Sequence, residues 1–426
     1  MTDDADRLER AAKSTTLRKV VIDPVTRVEG HGKVTLLMDD EDRVQQARLH
    51  IVEFRGFEKF VQGRPYWELP VLVQRLCGIC PVSHHLAAAK AVDRIVGVSE
   101  IPPTAQAIRQ LLHLGQVLQS HALHFFHLSS PDLLFGSADE VRHRNFIGVL
   151  QDHPEIALQG IKLRKFGQQI IEAIAGKRIH GVIAVPGGVN KSLDKSVRQG
   201  LAEQVDDILA FAEGALDLAK RLFLSDREAH QQFARADSAM LSLVTPDGAM
   251  ELYDGGLRAK DCNGDLLFDH FSPDNYLELI SEEVKEWSYM KFPFLNCLGR
   301  EQGMYRVGPL ARINSCDYID TPKAEAARVE LTTLQTPLVQ STLAFHWARM
   351  IELLHCVEAI DRLLGDDILS GGDLCATDSM TGQGIGVIEA PRGTLIHDYQ
   401  AVFIHLVVMN KRATGCLYNT NSLPGH

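Results

Sequence analysis

The stretch that decides the reading is Arg75-Leu76-Cys77-Gly78-Ile79-Cys80-Pro81-Val82-Ser83-His84-His85, a C-x-x-C placed between two helical patterns. Upstream, from about Trp67, Leu69, Leu72, Val73 and Leu76 fall on one helical face, and the Cys-Gly-Ile-Cys-Pro segment breaks that period. A second helix is expected to start near Ser83. Sulfur atoms just ahead of a helix N-terminus feel its unpaired N–H groups and the positive end of its dipole, which favours thiolate over thiol. Gly78 lets the backbone turn tightly between the two cysteines. Spacing alone leaves four readings open: half of a zinc site, a thioredoxin-like redox pair, soft ligands for a transition metal, or two buried structural cysteines. Zinc would need two further ligands at regular spacing and thioredoxin chemistry a βαβ context, and the sequence has neither pattern.

Outward from this point the chain divides by period. The segment VVIDPVTRVEGHGKVTLLMDDEDRVQQARLHIVEF alternates apolar and polar residues around a turn at Asp39-Asp40-Glu41-Asp42, which predicts a small antiparallel sheet at the N-terminus. Long helical patterns follow over Thr104 to Leu128, Pro154 to Ala175 and Leu193 to Leu224, and they should pack as a bundle. A further pattern runs from Lys323 to Leu364, bent or split by Pro337. Residues 240–320 read as mixed and turn-rich, and 384–400 as two short strands around Ala390-Pro391-Arg392-Gly393. The expected fold is α+β and predominantly helical, a long-helix bundle with a small N-terminal antiparallel sheet.

Composition excludes several classes. The 426 residues are 45% hydrophobic and 23% charged, enough for a large core and without the bias of a disordered chain. A formal net charge of −11 argues against a nucleic-acid partner. There is no apolar leader at the N-terminus and no run long enough to span a membrane. Of eight cysteines only Cys77 and Cys80 form a close pair, which fits a reducing compartment better than a disulfide framework. A cytoplasmic protein is expected.

The motif Arg75, Cys77, Gly78, Cys80, His84 resembles the first metal-binding motif of nickel-iron hydrogenase large subunits, R-x-C-G-x-C-x-x-x-H. The resemblance extends through Asp23-Pro-Val-Thr-Arg-Val-Glu29-Gly-His31-Gly, Glu53-Phe-Arg-Gly56-Phe-Glu58-Lys-Phe, Glu286-Trp-Ser-Tyr-Met-Lys-Phe-Pro293, Gly299-Arg-Glu-Gln-Gly303 and Glu389-Ala-Pro391-Arg392-Gly-Thr-Leu. Its wording looks most like the cytoplasmic, bidirectional, NAD-linked group. It divides the chain into a flexible segment 1–17, a large-subunit domain over 18–400 and a divergent tail over 401–426.

The resemblance implies roles residue by residue. Cys77 matches a terminal nickel ligand and Cys80 a ligand bridging nickel to an iron that carries carbon monoxide and cyanide. His84 matches the residue that hydrogen-bonds the bridging sulfur. Glu29 matches the carboxylate that hands protons between a cysteine sulfur and the exterior, Glu58 a magnesium ligand, and Arg392 the guanidinium over the open metal position. Asp132 matches the carboxylate that orients this arginine. Read without the resemblance, Glu29 is a strand-end carboxylate, Glu58 half of a surface ion pair with Lys59, and the histidines around His121 to His127 are packed or solvated. The implied activity is reversible H2 oxidation, with electrons leaving through iron–sulfur clusters of a small subunit to a diaphorase and NAD, after assembly by maturation factors.

The family closes with D-P-C-x-x-C-x-x-H, supplying two more thiolates and a magnesium-holding histidine. Here the similarity stops at Gln400, and 401–426 contain only Cys416. The expectation is therefore half of a thiolate set, in a chain truncated or frameshifted after Gln400. The alternative is an inactive remnant or metal-free scaffold of the fold, as in the related quinone-site subunit of respiratory complex I, although that subunit lacks the first cysteine pair.

Overall fold

The computed structural model describes residues 17–401 apart from 27, 29, 54, 55, 137 and 138, with the backbone alone at 402 and 406–408. Three strands open it: β1 (Arg18–Ile22), β2 (Gly32–Met38) and β3 (Val44–Ile51) form an antiparallel meander with Ile22 opposite Val34 and Gly32 opposite Ile51. The expected turn is present. The Asp39 carboxylate accepts from the Glu41 and Arg43 amides, both at 3.0 Å, and these bonds with the Arg43 side chain hold it down to about 2.

The apolar face of 69–76 forms three short turns, Tyr66–Glu68, Leu69–Leu72 and Val73–Leu76, and not one regular helix. Helix α1 (Pro81–Ile95) starts two residues earlier than expected, because a proline in the first helical turn has no N–H to leave unpaired. The Thr104 to Leu128 pattern becomes α2 (Pro103–Leu123) followed by a turn of π-helix at His124–Ser129 and a short helix at Ser130–Phe135. Helix α3 (Pro154–Ala175) keeps its expected bounds and ends on Gly176 at φ 78°.

The expected single helix from Leu193 to Leu224 is two, α4 (Lys195–Ala202), capped by Asp194, and α5 (Val205–Leu224). The region 240–320 holds more order than turn chemistry suggested. Strands β4 (Ala239–Val244), β5 (Gly256–Lys260) and β6 (Leu266–Phe271) run antiparallel, β7 (Ile280–Val284) pairs with β8 (Lys291–Leu295), and β9 (Tyr305–Arg306) adds parallel to β4. Helix α6 (Pro309–Ser315) follows, and then α7 (Pro322–Thr332) and α8 (Ala344–Leu364), split around Pro337 as expected. Last come β10 (Gln383–Ala390) and β11 (Gly393–Val402), a hairpin longer than the two short strands expected.

Helices α2, α3, α5 and α8 pack as the bundle, burying Leu111, Phe166, Ala212 and Trp347. The α+β, mainly helical reading is borne out. One approach positions the site. Helix α1 lies directly on β10, where an added Cβ at Gly384 would come 1.9 Å from Ala91 O and one at Gly386 2.0 Å from Ala87 O. Only glycine lets helix and strand touch backbone to backbone, and this brings Cys80 on α1 and Arg392 after β10 onto one scaffold. Among the described residues no helix is long and apolar enough to cross a membrane.

Candidate metal centre

Cys77 ends the last helical turn in an extended conformation (φ −143°, ψ 126°), and Cys80 is the residue at which α1 begins. The Cys80 amide donates to Cys77 Sγ at 3.3 Å, so the loop folds back on its own sulfur. From α2, the Gln116 and Gln119 amides donate to Ile79 O at 3.0 and 3.3 Å and clamp the residue between the cysteines. Both cysteines are buried. Among the described residues no group of three or more His, Cys, Asp or Glu side chains is placed to hold a metal, so the pair is not part of a closed zinc-type set there.

The two histidines of the motif separate in function. His85 Nδ1 lies 2.7 Å from Pro70 O and its Nε2 accepts the Ala184 amide at 3.1 Å; burial pushes it down to about 4, and it serves as a neutral brace. His84 is fully buried one helical turn after Cys80, its Nδ1 3.0 Å from His397 Nε2 on β11. His84 Nε2 is buried with no hydrogen-bond partner among the described residues, an unmet polar atom of the kind that a bound group satisfies.

Arg392 occupies the two-residue turn between β10 and β11 and reaches α2, its Nη1 donating to Ser120 Oγ at 3.4 Å. The turn is held from behind by a fully buried ion network. Arg312 on α6 donates Nε and Nη2 to the two Glu352 oxygens at 2.6 and 2.7 Å, and Nη1 to Glu389 at 2.7 Å. The same guanidinium donates to Ala390 O at 3.1 Å and Pro391 O at 3.3 Å, the two carbonyls immediately before Arg392. His121 Nε2 donates to Glu352 at 2.8 Å, and Glu389 accepts from Thr394 and the Leu243 amide. Burial works to raise the Glu352 carboxyl, but Arg312 and His121 outweigh it and hold it near 2; burial dominates at Glu389 and raises it. Beside Arg392, burial and the neighbouring guanidiniums bring Arg349 down to about 9 and keep His124 well below its ordinary value.

The remaining expected site residues are less gathered. Asp132 lies in the short helix after the π-turn, with Arg144 Nη1 3.5 Å away. Glu58 is half-buried in the Phe57–Phe60 turn. Glu29 lies outside the described residues, as does Cys416. Sequence reasoning missed His397, Arg312 and Glu352. The first sits in a strand and carries no local signal, and the ion network joins residues 40 and 77 positions apart.

The donor set fits a soft transition metal as far as this chain supplies it: two buried sulfurs at a helix start, an unmet imidazole nitrogen one turn on, and a guanidinium on a rigid turn. Comparisons agree. The profile described as nickel-dependent hydrogenase matches residues 55–135, and one described as HoxL-like matches 19–54. The NAD-reducing hydrogenase HoxS subunit beta of Cupriavidus necator is 44% identical over 92% of this chain and 84% of its own length. The matching chain of the F420-non-reducing hydrogenase vhu of Methanocaldococcus jannaschii is 40% identical over 95% of this chain and 96% of its own length. The crystal structure of an H2-reduced NAD+-reducing NiFe hydrogenase superposes with a TM-score of 0.92 at 52% identity, covering 96% of this chain and 90% of that one. A NiFeSe hydrogenase of Desulfovibrio vulgaris Hildenborough, at 23% identity and a TM-score of 0.72, shares the fold. This chain belongs to the nickel-dependent hydrogenase family, as a nickel-iron large subunit.

Proposed function

We propose that this large subunit holds its nickel-iron centre through Cys77 and Cys80 and works in a cytoplasmic, NAD-linked complex. The observation that carries the reading is the buried pair of cysteines at the start of α1, with His84 one helical turn on and its Nε2 unmet among the described residues. The NAD link is supported by similarity to two proteins named as NAD-reducing hydrogenases. When bound, the centre, with carbon monoxide and cyanide on its iron, supplies the site of H–H cleavage and the first electron acceptor.

The chain's own residues do the rest. Cys77 and Cys80 would hold the centre through thiolate Sγ atoms, and a cysteine Sγ would accept a proton there. Glu29 takes that proton outward, Glu58 contributes to a magnesium site, and Asp132 helps orient Arg392. The Arg392 guanidinium would offer fixed donors to the bound centre, at little reorganisation cost because its turn is anchored. The two electrons of each H2 would leave through iron–sulfur clusters held by a small subunit toward a diaphorase, which would supply the site of NAD+ reduction. Within these 426 residues there is no second C-x-x-C.

Nickel analysis and infrared detection of carbon monoxide and cyanide bands, on the complex isolated from its native host, test the assignment. Nickel and both bands are expected in the wild type and neither in Cys77→Ser. A wild-type complex without nickel would instead support the metal-free scaffold, and nickel retained in full by Cys77→Ser would reject Cys77 as a ligand.

A further inference from the structure

Behind His84 runs a line of buried polar groups. His397 lies between His84 and Tyr399: its Nε2 is 3.0 Å from His84 Nδ1 and its Nδ1 2.5 Å from the Tyr399 hydroxyl. All three side chains are within 1% of complete burial. The His397 bond is the one hydrogen bond of the Tyr399 hydroxyl among the described residues, and the ring packs among Val61, Leu69, Val73, Ala88 and Val92, which offer no side-chain acceptor.

This fixes the direction of the protons. Burial raises the Tyr399 phenol and lowers His397, so the line consists of a neutral phenol and a neutral imidazole. If His397 donated through Nδ1–H, the phenolic proton would be left unmet in an apolar pocket and His84 Nε2 would be a bare lone pair. If Tyr399 donates, His397 carries its proton on Nε2, donates to His84 Nδ1, and His84 carries its proton on Nε2. The second arrangement leaves a single unmet donor, and it is the atom found without a partner.

We infer that Tyr399 and His397 are positioning residues that set the tautomer of His84, so that it presents an Nε2–H donor to a thiolate. Helical side chains lean toward the helix N-terminus, so His84 leans back over the turn that starts at Cys80. An N–H there stabilises a thiolate, whereas a lone pair would repel it. The inference rests on the reading of Cys77 and Cys80 as metal-holding thiolates, but its test needs no metal.

Nitrogen-15 NMR of the full, metal-free chain labelled at histidine reads each ring nitrogen as protonated or bare. Both rings are expected as Nε2–H in the wild type, with the other tautomer at about a tenth or less, since leaving the phenolic donor unmet disfavours it about tenfold or more. In Tyr399→Phe, which removes the donor and keeps the ring, the two tautomers become comparable in population. Protonated Nδ1 on either ring of the wild type, or wild-type tautomers in Tyr399→Phe, would overturn the relay. Should Tyr399→Phe fail to fold, the wild-type tautomers decide alone. A native complex without nickel rejects the metal reading whatever these tautomers are, and Nδ1 protonation rejects the relay whatever the metal content is.

Discussion

Arg312→Met is the sharpest perturbation of the scaffold behind Arg392. It keeps the length of the side chain and removes a buried charge that faces two fully buried carboxylates, Glu352 and Glu389. Breaking a buried ion pair from one side costs about 3–5 kcal/mol. A second route gives a similar size: the Glu352 carboxyl is held near 2 against an ordinary 4.5, which corresponds to about 3 kcal/mol. For 426 residues, an unfolding entropy of about 2 cal/mol/K per residue turns this into a melting-temperature loss of about 3–6 °C.

The sign of the pH dependence follows from the direction of the shift. A carboxyl whose folded value is depressed adds stability that is fully present above its unfolded value and disappears as pH falls toward the folded one. Glu352 therefore stabilises the wild type above about pH 4.5, and that contribution fades toward pH 2. In Arg312→Met both carboxyls are buried without a counter-charge and shift upward, so the variant recovers stability as acid neutralises them. Calorimetry at pH 7 and pH 5.5 should show the gap to wild type narrowing at the lower pH. A loss below about 1 °C, or a gap unchanged by acid, would refute the assignment of the network as the anchor of this turn.

Two further substitutions separate scaffold from chemistry. Gly386→Ala puts a Cβ 2.0 Å from Ala87 O, so α1 must move off β10, with an expected cost of about 1–3 kcal/mol; an unchanged melting temperature would contradict the close approach. Arg392→Lys keeps the charge but loses the planar donor fork, and should leave melting nearly unchanged while lowering H2 turnover of the native complex about 100-fold or more; full turnover would remove Arg392 from the site.

Much of the architecture was legible because periodicity is local. The α3 bounds, the Asp39 turn, the split at Pro337 and the hairpin around Pro391-Arg392 each follow from a few adjacent residues. Where sequence reasoning erred, a tertiary contact intervened. The helical pattern of 104–128 changes to π winding at His124, where Phe125 and Phe126 are fully buried and Ser130 bonds Phe126 O. Strand β4 was hidden because all six of its residues are buried, which erases the alternation that marks a half-exposed strand.

The site divides along the same line. The sequence alone determined the family, through ordered motifs that include Cys77, Cys80, His84 and Arg392, because each motif is a run of a few adjacent residues whose spacing does not depend on the rest of the chain. Only the tertiary structure decided what stands behind them. His397 and Tyr399 line up on His84 from a strand more than 300 residues away, and Arg312, Glu352 and Glu389 converge from α6, α8 and β10. A buried charge or imidazole must find its partner wherever the fold brings one, and that partner has no fixed spacing in the chain.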